Sequence, residues 1–198
     1  MMWNSTRFFA VAVALTVGAC GGAQARTQGT QNAPRSQASM RSLPDMLGPF
    51  GAHQSPAQLA EIAALIHRFE RDPEAPFPEN NTERSTLFWF MAWVVESPDV
   101  HVIASTVLGH LGEGRGADIG PMTTPASLLG MAAYLAEHPG VDGHDPDVQT
   151  AGIVSSLLWY EASLRHGHER NAFLDELLVL RAQGGLREWW VTHVRFNE

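Results

Sequence analysis

The chain has 198 residues, 44% of them apolar and 17% charged, with a formal net charge of −8. That balance supports a packed core and argues against global disorder. Charge divides unevenly: residues 1–52 carry +3, and residues 53–198 carry −11. A body this acidic repels phosphate backbones, which excludes nucleic acid as a partner. All thirteen basic residues are arginine. Without lysine, P-loop nucleotide chemistry and pyridoxal Schiff bases are ruled out. The single cysteine, Cys20, likewise rules out an intramolecular disulfide and cysteine-based zinc sites.

The first element is Met1–Arg7 with one positive charge, followed by the apolar run Phe8–Val17 (FFAVAVALTV). Its length suits a secretory h-region and is too short for a stable membrane span. Small residues Gly18 and Ala19 then precede Cys20. The stretch Val17-Gly18-Ala19-Cys20 resembles the lipobox of bacterial lipoproteins, in which an aliphatic and two small residues precede the modified cysteine. The resemblance implies a signal peptide over 1–19, cleavage before Cys20, and lipid on that cysteine holding the protein to a bilayer in the cell envelope. Each buried methylene contributes about 0.8 kcal/mol, so two or more acyl chains anchor stably where one does not. Gly21 stands where the family's inner-membrane proteins carry aspartate, which implies the outer membrane, facing the periplasm.

Residues 20–52 read as the lipidated cysteine and a flexible tether. Gly21–Ser42 is rich in Gln, Ser, Thr, Gly and Ala and nearly free of large apolar residues, so it cannot offset the cost of ordering. About 22 residues of such chain reach roughly 25 Å. Leu43–Phe50 (LPDMLGPF) regains apolar character and is expected to pack on the domain as an extended arm.

Residues 53–198 are expected to form one acidic, all-helical domain: an irregular bundle or short stack of six to seven helices. A capping residue followed by proline recurs at Ser55-Pro56, Ser97-Pro98, Thr124-Pro125 and Asp145-Pro146. The first side chain can satisfy a free backbone N–H, while proline supplies the right φ and loses no needed donor. The pattern predicts helices over 56–71, 82–96, 98–111, 125–138, 146–166, 169–183 and 186–195, and no strand. Leu59, Ile62, Ala63, Ile66 and Phe69 line one face of the first; Ile153, Leu157 and Leu164 share a stripe on the fifth, and Phe173, Leu177 and Leu180 on the sixth. The second is apolar all round through Leu87–Val95 (LFWFMAWVV), which predicts a central, buried element with Trp89 and Trp93 in the core.

Residues 97–112 (SPDVHVIASTVLGHLG) resemble the second helix of a HEAT-like repeat, with a Pro-Asp-Val start leading to Val100, Ala104 and Leu108. Helix 82–96 would be the first helix of that unit, and the second Pro-Asp-Val, at Pro146, follows at HEAT spacing. That later unit departs from the pattern, because Gly152 and Ser156 replace the expected packing residues.

Three segments carry candidate chemistry. In Glu137–Asp145 and beyond it, His138, His144, His166 and His168 lie among carboxylates, a set that suits zinc or another divalent metal. The competing reading is a solvated loop flanking a capped helix, and no HExxH spacing is present. Gly109–Gly120 contains five glycines but carries Glu113 and Asp118 and follows a helix, so it reads as a mobile connection, or a loop that contacts a partner, rather than a phosphate cradle. Glu96-Ser97 is similar to the Glu-Ser pair of lytic transglycosylases, and Gly120-Pro121-Met122 and Ala133-Tyr134-Leu135 distantly resemble further segments of that family. The resemblance implies peptidoglycan cleavage with Glu96 as general acid. Against it, Thr123 replaces the family's glutamine, the spacing differs, and no Asn follows Tyr160. The leading expectation is a membrane-anchored, non-catalytic interaction domain, without a cofactor, whose acidity favours a basic protein partner or a cation-rich surface in the envelope.

Overall fold

A computed structural model describes residues 48–49, 51–73, 83–105 and 120–194. Cys20, the expected signal segment over 1–19, most of the expected tether and arm over 20–52, and the glycine-rich stretch up to Ile119 lie outside these residues. The described residues form six helices and no strand: α1 (Pro56–Arg71), α2 (Glu83–Glu96), α3 (Gly120–Glu137), α4 (Pro146–Arg165), α5 (Ala172–Ala182) and α6 (Leu186–His193). The all-α expectation holds. α3 and α4 make the largest helix contact; α1 packs on both, α2 on α3, and α5 and α6 on α4.

Two of the four proline starts are helix N-termini of the expected kind. Ser55 forms a full capping box: its Oγ accepts from Gln58 N–H at 3.3 Å, and its own N–H donates to Gln58 Oε1 at 2.9 Å. Asp145 caps α4 through Asp147 N–H, with Pro146 at the first helical position. The expected α1 stripe is buried throughout, and Phe69 at its end sits 5.7 Å from the Phe90 ring and 5.4 Å from Trp159, joining α1, α2 and α4.

The other two starts depart from expectation. Pro125 lies inside α3, which begins at Gly120. Its missing N–H would have bonded only to the carbonyl of Pro121, so the loss falls within the first turns, where it does not end the helix. After Ser97-Pro98 no helix forms over the described residues 97–105. Here the carboxylate of Asp99 is committed to the segment before α1: it accepts from Gln54 N–H at 2.7 Å and from His53 Nδ1 at 2.8 Å. The β-branched Val100, Val102 and Ile103 follow, which favour extended backbone. This segment is a strap held by Gln149, whose Nε2 donates to the carbonyls of Ile103 (2.9 Å) and Gly143 (2.8 Å). The helix expected over 98–111 is therefore absent over 98–105, and the rest of that span, with the remainder of the HEAT-like unit, lies outside the described residues.

α2 is also not the all-round buried element its composition predicts. Phe90 and Trp93 are buried, but Phe88 is 64% and Val95 74% exposed. The central pair is α3–α4 instead, and glycine explains why. A Cβ on Gly130 would lie 2.7 Å from Ala151 O, and one on Gly152 would lie 2.9 Å from Ser127 O. Only bare backbone permits this approach. The small residues that spoiled the repeat pattern are thus what let these two helices close on each other. At the far end, Tyr160 of α4 ties in α5: its hydroxyl accepts from Asn171 N–H at 2.7 Å and donates to Asp175 Oδ1 at 2.8 Å.

Candidate functional site

The close α3–α4 crossing sets up a polar network in the interior. Glu70 lies four residues after Ile66 on the α1 stripe, so the helix that buries Ile66 and Phe69 carries this carboxylate inward with them. It is 2% exposed. A buried carboxylate needs partners. Glu70 Oε1 accepts from Ser155 Oγ of α4 at 2.6 Å, and Oε2 pairs with His67 Nδ1 at 3.0 Å. The other nitrogen of His67, Nε2, lies 3.2 Å from Glu137 Oε1 at the end of α3. Ser155 Oγ is also 2.6 Å from the Ala126 carbonyl, so its single proton is shared between two acceptors. One chain of contacts, Ser155–Glu70–His67–Glu137, therefore links α1, α3 and α4.

The network forms one side of a cavity of about 400 Å³. Gly130, Tyr134, Ala151, Val154 and Leu158 give it apolar walls, while Glu137, Asp147 and Thr150 are polar groups around it. Asp147 accepts from Arg187 Nε of α6 at 2.5 Å, and the Tyr134 ring is stacked on His138 at 4.1 Å. The hydrogen bond to Glu70 holds His67 above the usual imidazole range; burial opposes this, and the charges of Glu70 and Glu137 reinforce it. As an imidazolium, His67 donates from both nitrogens to two carboxylates.

This arrangement limits the chemistry available. Both His67 nitrogens are held against carboxylates, and Ser155 is bonded to Glu70 and Ala126 rather than to the imidazole, so no serine–imidazole pair is formed. Concave shape, apolar walls and a few convergent polar groups suit ligand binding.

The residues singled out from sequence lie elsewhere. Glu96 is the exposed last residue of α2 and lines neither this cavity nor a second, of about 310 Å³, beside Met91, Val95 and Val100. Ser97 Oγ accepts from Asp99 N–H at 3.3 Å, a local turn contact. His138 Nδ1 donates to the Tyr134 carbonyl at 2.9 Å, closing the end of its own helix. His144 Nδ1 and N–H both meet Asp142 Oδ1 at 2.8 Å, which holds that carboxyl below its usual range, the backbone bond first. His166 and His168 belong to the turn ending α4, where their N–H groups donate to Ala162 and Ser163 carbonyls around Gly167 at φ +87°. Among the described residues, no three His, Cys, Asp or Glu side chains are grouped to hold a metal ion. Of the residues lining the larger cavity, Tyr134 and Glu137 fell within segments singled out from sequence, in other roles; His67, Glu70 and Ser155 escaped, although a glutamate in stripe register at position 70 was a readable signal. No protein-family model, curated protein or solved structure matches the chain.

Proposed function

We propose that the protein is a lipid-anchored component of the cell envelope whose helical domain binds a protein partner and catalyses no reaction of its own. The observation that carries the binding role is the cavity between α1, α3 and α4: apolar walls beside carboxylates, and an imidazole engaged on both sides. The charge of −11 over residues 53–198 favours a basic partner and speeds its approach at low salt. The anchoring role is supported by the lipobox-like Val17–Cys20, and Gly21 supports the periplasmic face of the outer membrane as its place.

A photo-crosslinking residue placed at Val154, inside the cavity, is expected to give one recurrent adduct in intact envelopes. The same residue at Val179, exposed on α5, is expected to give none of that mass. Absence of a Val154 adduct would overturn the binding role. Turnover of cell-wall sacculi by the wild type, abolished by Glu96→Gln, would replace it with catalysis. Intact mass of protein from its native host tests the anchor: loss of residues 1–19 and a gain in mass from acyl chains at Cys20 are expected.

A further inference from the structure

We infer that the cavity between α1, α3 and α4 receives an arginine side chain from a basic segment of the partner, with its guanidinium on Glu137 and its stem along Val154 and Leu158. This rests on the binding role proposed above and adds the chemistry of recognition. At about 400 Å³ the space is near the lower end of ligand pockets, roughly 300–1,000 Å³, which suits one long side chain and its adjoining backbone.

The carboxylates around the cavity differ in what they still have to offer. Glu70 is fully buried and has both oxygens engaged, by Ser155 and His67. Asp147 already carries a guanidinium, that of Arg187. Glu137 is 39% exposed and is engaged through Oε1 alone, by His67. Its second oxygen is the acceptor best placed for an incoming donor. With His67 protonated and Arg187 counted, the three carboxylates still leave this region one charge negative; with His67 neutral, two.

The apolar walls decide what kind of cation fits. A small inorganic cation would lose water against Val154, Ala151 and Leu158 and gain few ligands in return. A cation on a hydrocarbon stem covers those walls while its head reaches the rim. Between the two basic side chains, guanidinium is more weakly hydrated than ammonium and can address a carboxylate with parallel donors. On the same rim a guanidinium already meets a carboxylate through a single contact, Arg187 Nε to Asp147 Oδ1.

The test uses full-length protein in detergent micelles with labelled valine and leucine methyl groups, titrated with short glycine–serine peptides that carry one variable central residue. The arginine peptide is expected to shift the Val154 and Leu158 methyl signals saturably. The lysine peptide should bind at least about threefold more weakly, and the neutral isostere citrulline at least tenfold, as expected for loss of a charge-assisted contact. Glu137→Gln should weaken arginine binding about tenfold, and Glu96→Gln should leave it unchanged. Val154→Arg, which fills the cavity with a resident guanidinium, should abolish it while the helical spectrum is retained. Equal binding of citrulline and arginine, tighter binding of lysine, or indifference to Glu137→Gln would each overturn the inference. If the Val154 crosslink forms but no peptide shifts these methyls, arginine is the wrong occupant and the binding role stands. If the crosslink fails as well, both fall.

Discussion

Replacing Gly130 with alanine sets two well-known effects against each other. Alanine is the better helix former, by about 0.8–1.0 kcal/mol in a helix interior. At this position, however, the new methyl would lie 2.5 Å from Ser155 Cβ, 2.7 Å from Ala151 O and 3.2 Å from Gly152 Cα. Carbon atoms are comfortable at about 3.5–4.0 Å, so the closest contact is short by about 1 Å. Two of the three atoms are α4 backbone and cannot rotate away. Relief must come from moving α3 and α4 apart, at the largest helix contact in the molecule. Overpacking typically costs 1–3 kcal/mol, and an immovable backbone places this case near the top, about 3 kcal/mol. Offset by about 1 kcal/mol of propensity, the net loss is about 2 kcal/mol. With a urea slope of about 1–3 kcal/mol per molar, the midpoint should fall by about 1 M. Gly152→Ala should fall less, because two of its close atoms, Ser127 Oγ and Met131 Cγ, belong to side chains that can move. An unchanged or raised midpoint for Gly130→Ala would refute the reasoning, since propensity alone predicts a gain.

Three further outcomes are expected. Gln149→Leu orphans the Ile103 and Gly143 carbonyls, each costing about 1–3 kcal/mol; a urea midpoint within about 0.2 M of wild type would show that the strap is not held as described. Tyr160→Phe leaves the buried Asn171 N–H without its acceptor and should speed amide exchange at Asn171 and in the first turn of α5, and unchanged protection would contradict this. His67 titrates above the ordinary imidazole in the folded state, so the stability its proton contributes is complete below the unfolded pKa and is lost as pH rises through the folded one. The melting-temperature advantage of wild type over His67→Gln should therefore be larger at about pH 5.5 than at about pH 8.5, and an advantage that grows with pH would refute the assignment.

The helices were legible in the chain wherever local signals agreed with one another. Ser55-Pro56 and Asp145-Pro146 begin helices because capping oxygen, proline φ and an apolar stripe point the same way. Ser97-Pro98 carries the same cap but leads into β-branched residues and a carboxylate committed to the chain 45 residues earlier, a partner no local window contains. Composition overstated the burial of α2: an apolar surround indicates what could be covered, but α3 covers one side and Phe88 and Val95 remain open. The cavity was least legible of all. Its contacts join residues 70 and 85 positions apart, His67 to Glu137 and Glu70 to Ser155, and their meeting depends on how closely two glycines let α3 and α4 approach. Histidine clustering along the chain drew attention to 138–168, where the imidazoles serve helix ends and turns. The histidine inside the network stands alone in its segment.

The junction at residues 53–54 bears on how the domain would respond to pulling. Gln54 takes the indole N–H of Trp93 on its side-chain oxygen at 2.8 Å and gives its own amide to Asp99, while His53 meets the other oxygen of that carboxylate. Tension arriving along the backbone from Gly51 would be divided there into the end of α2 and the strap before reaching the Ser55 cap. The cavity, at the opposite end of α1, would keep its shape under a load that frays the first turn.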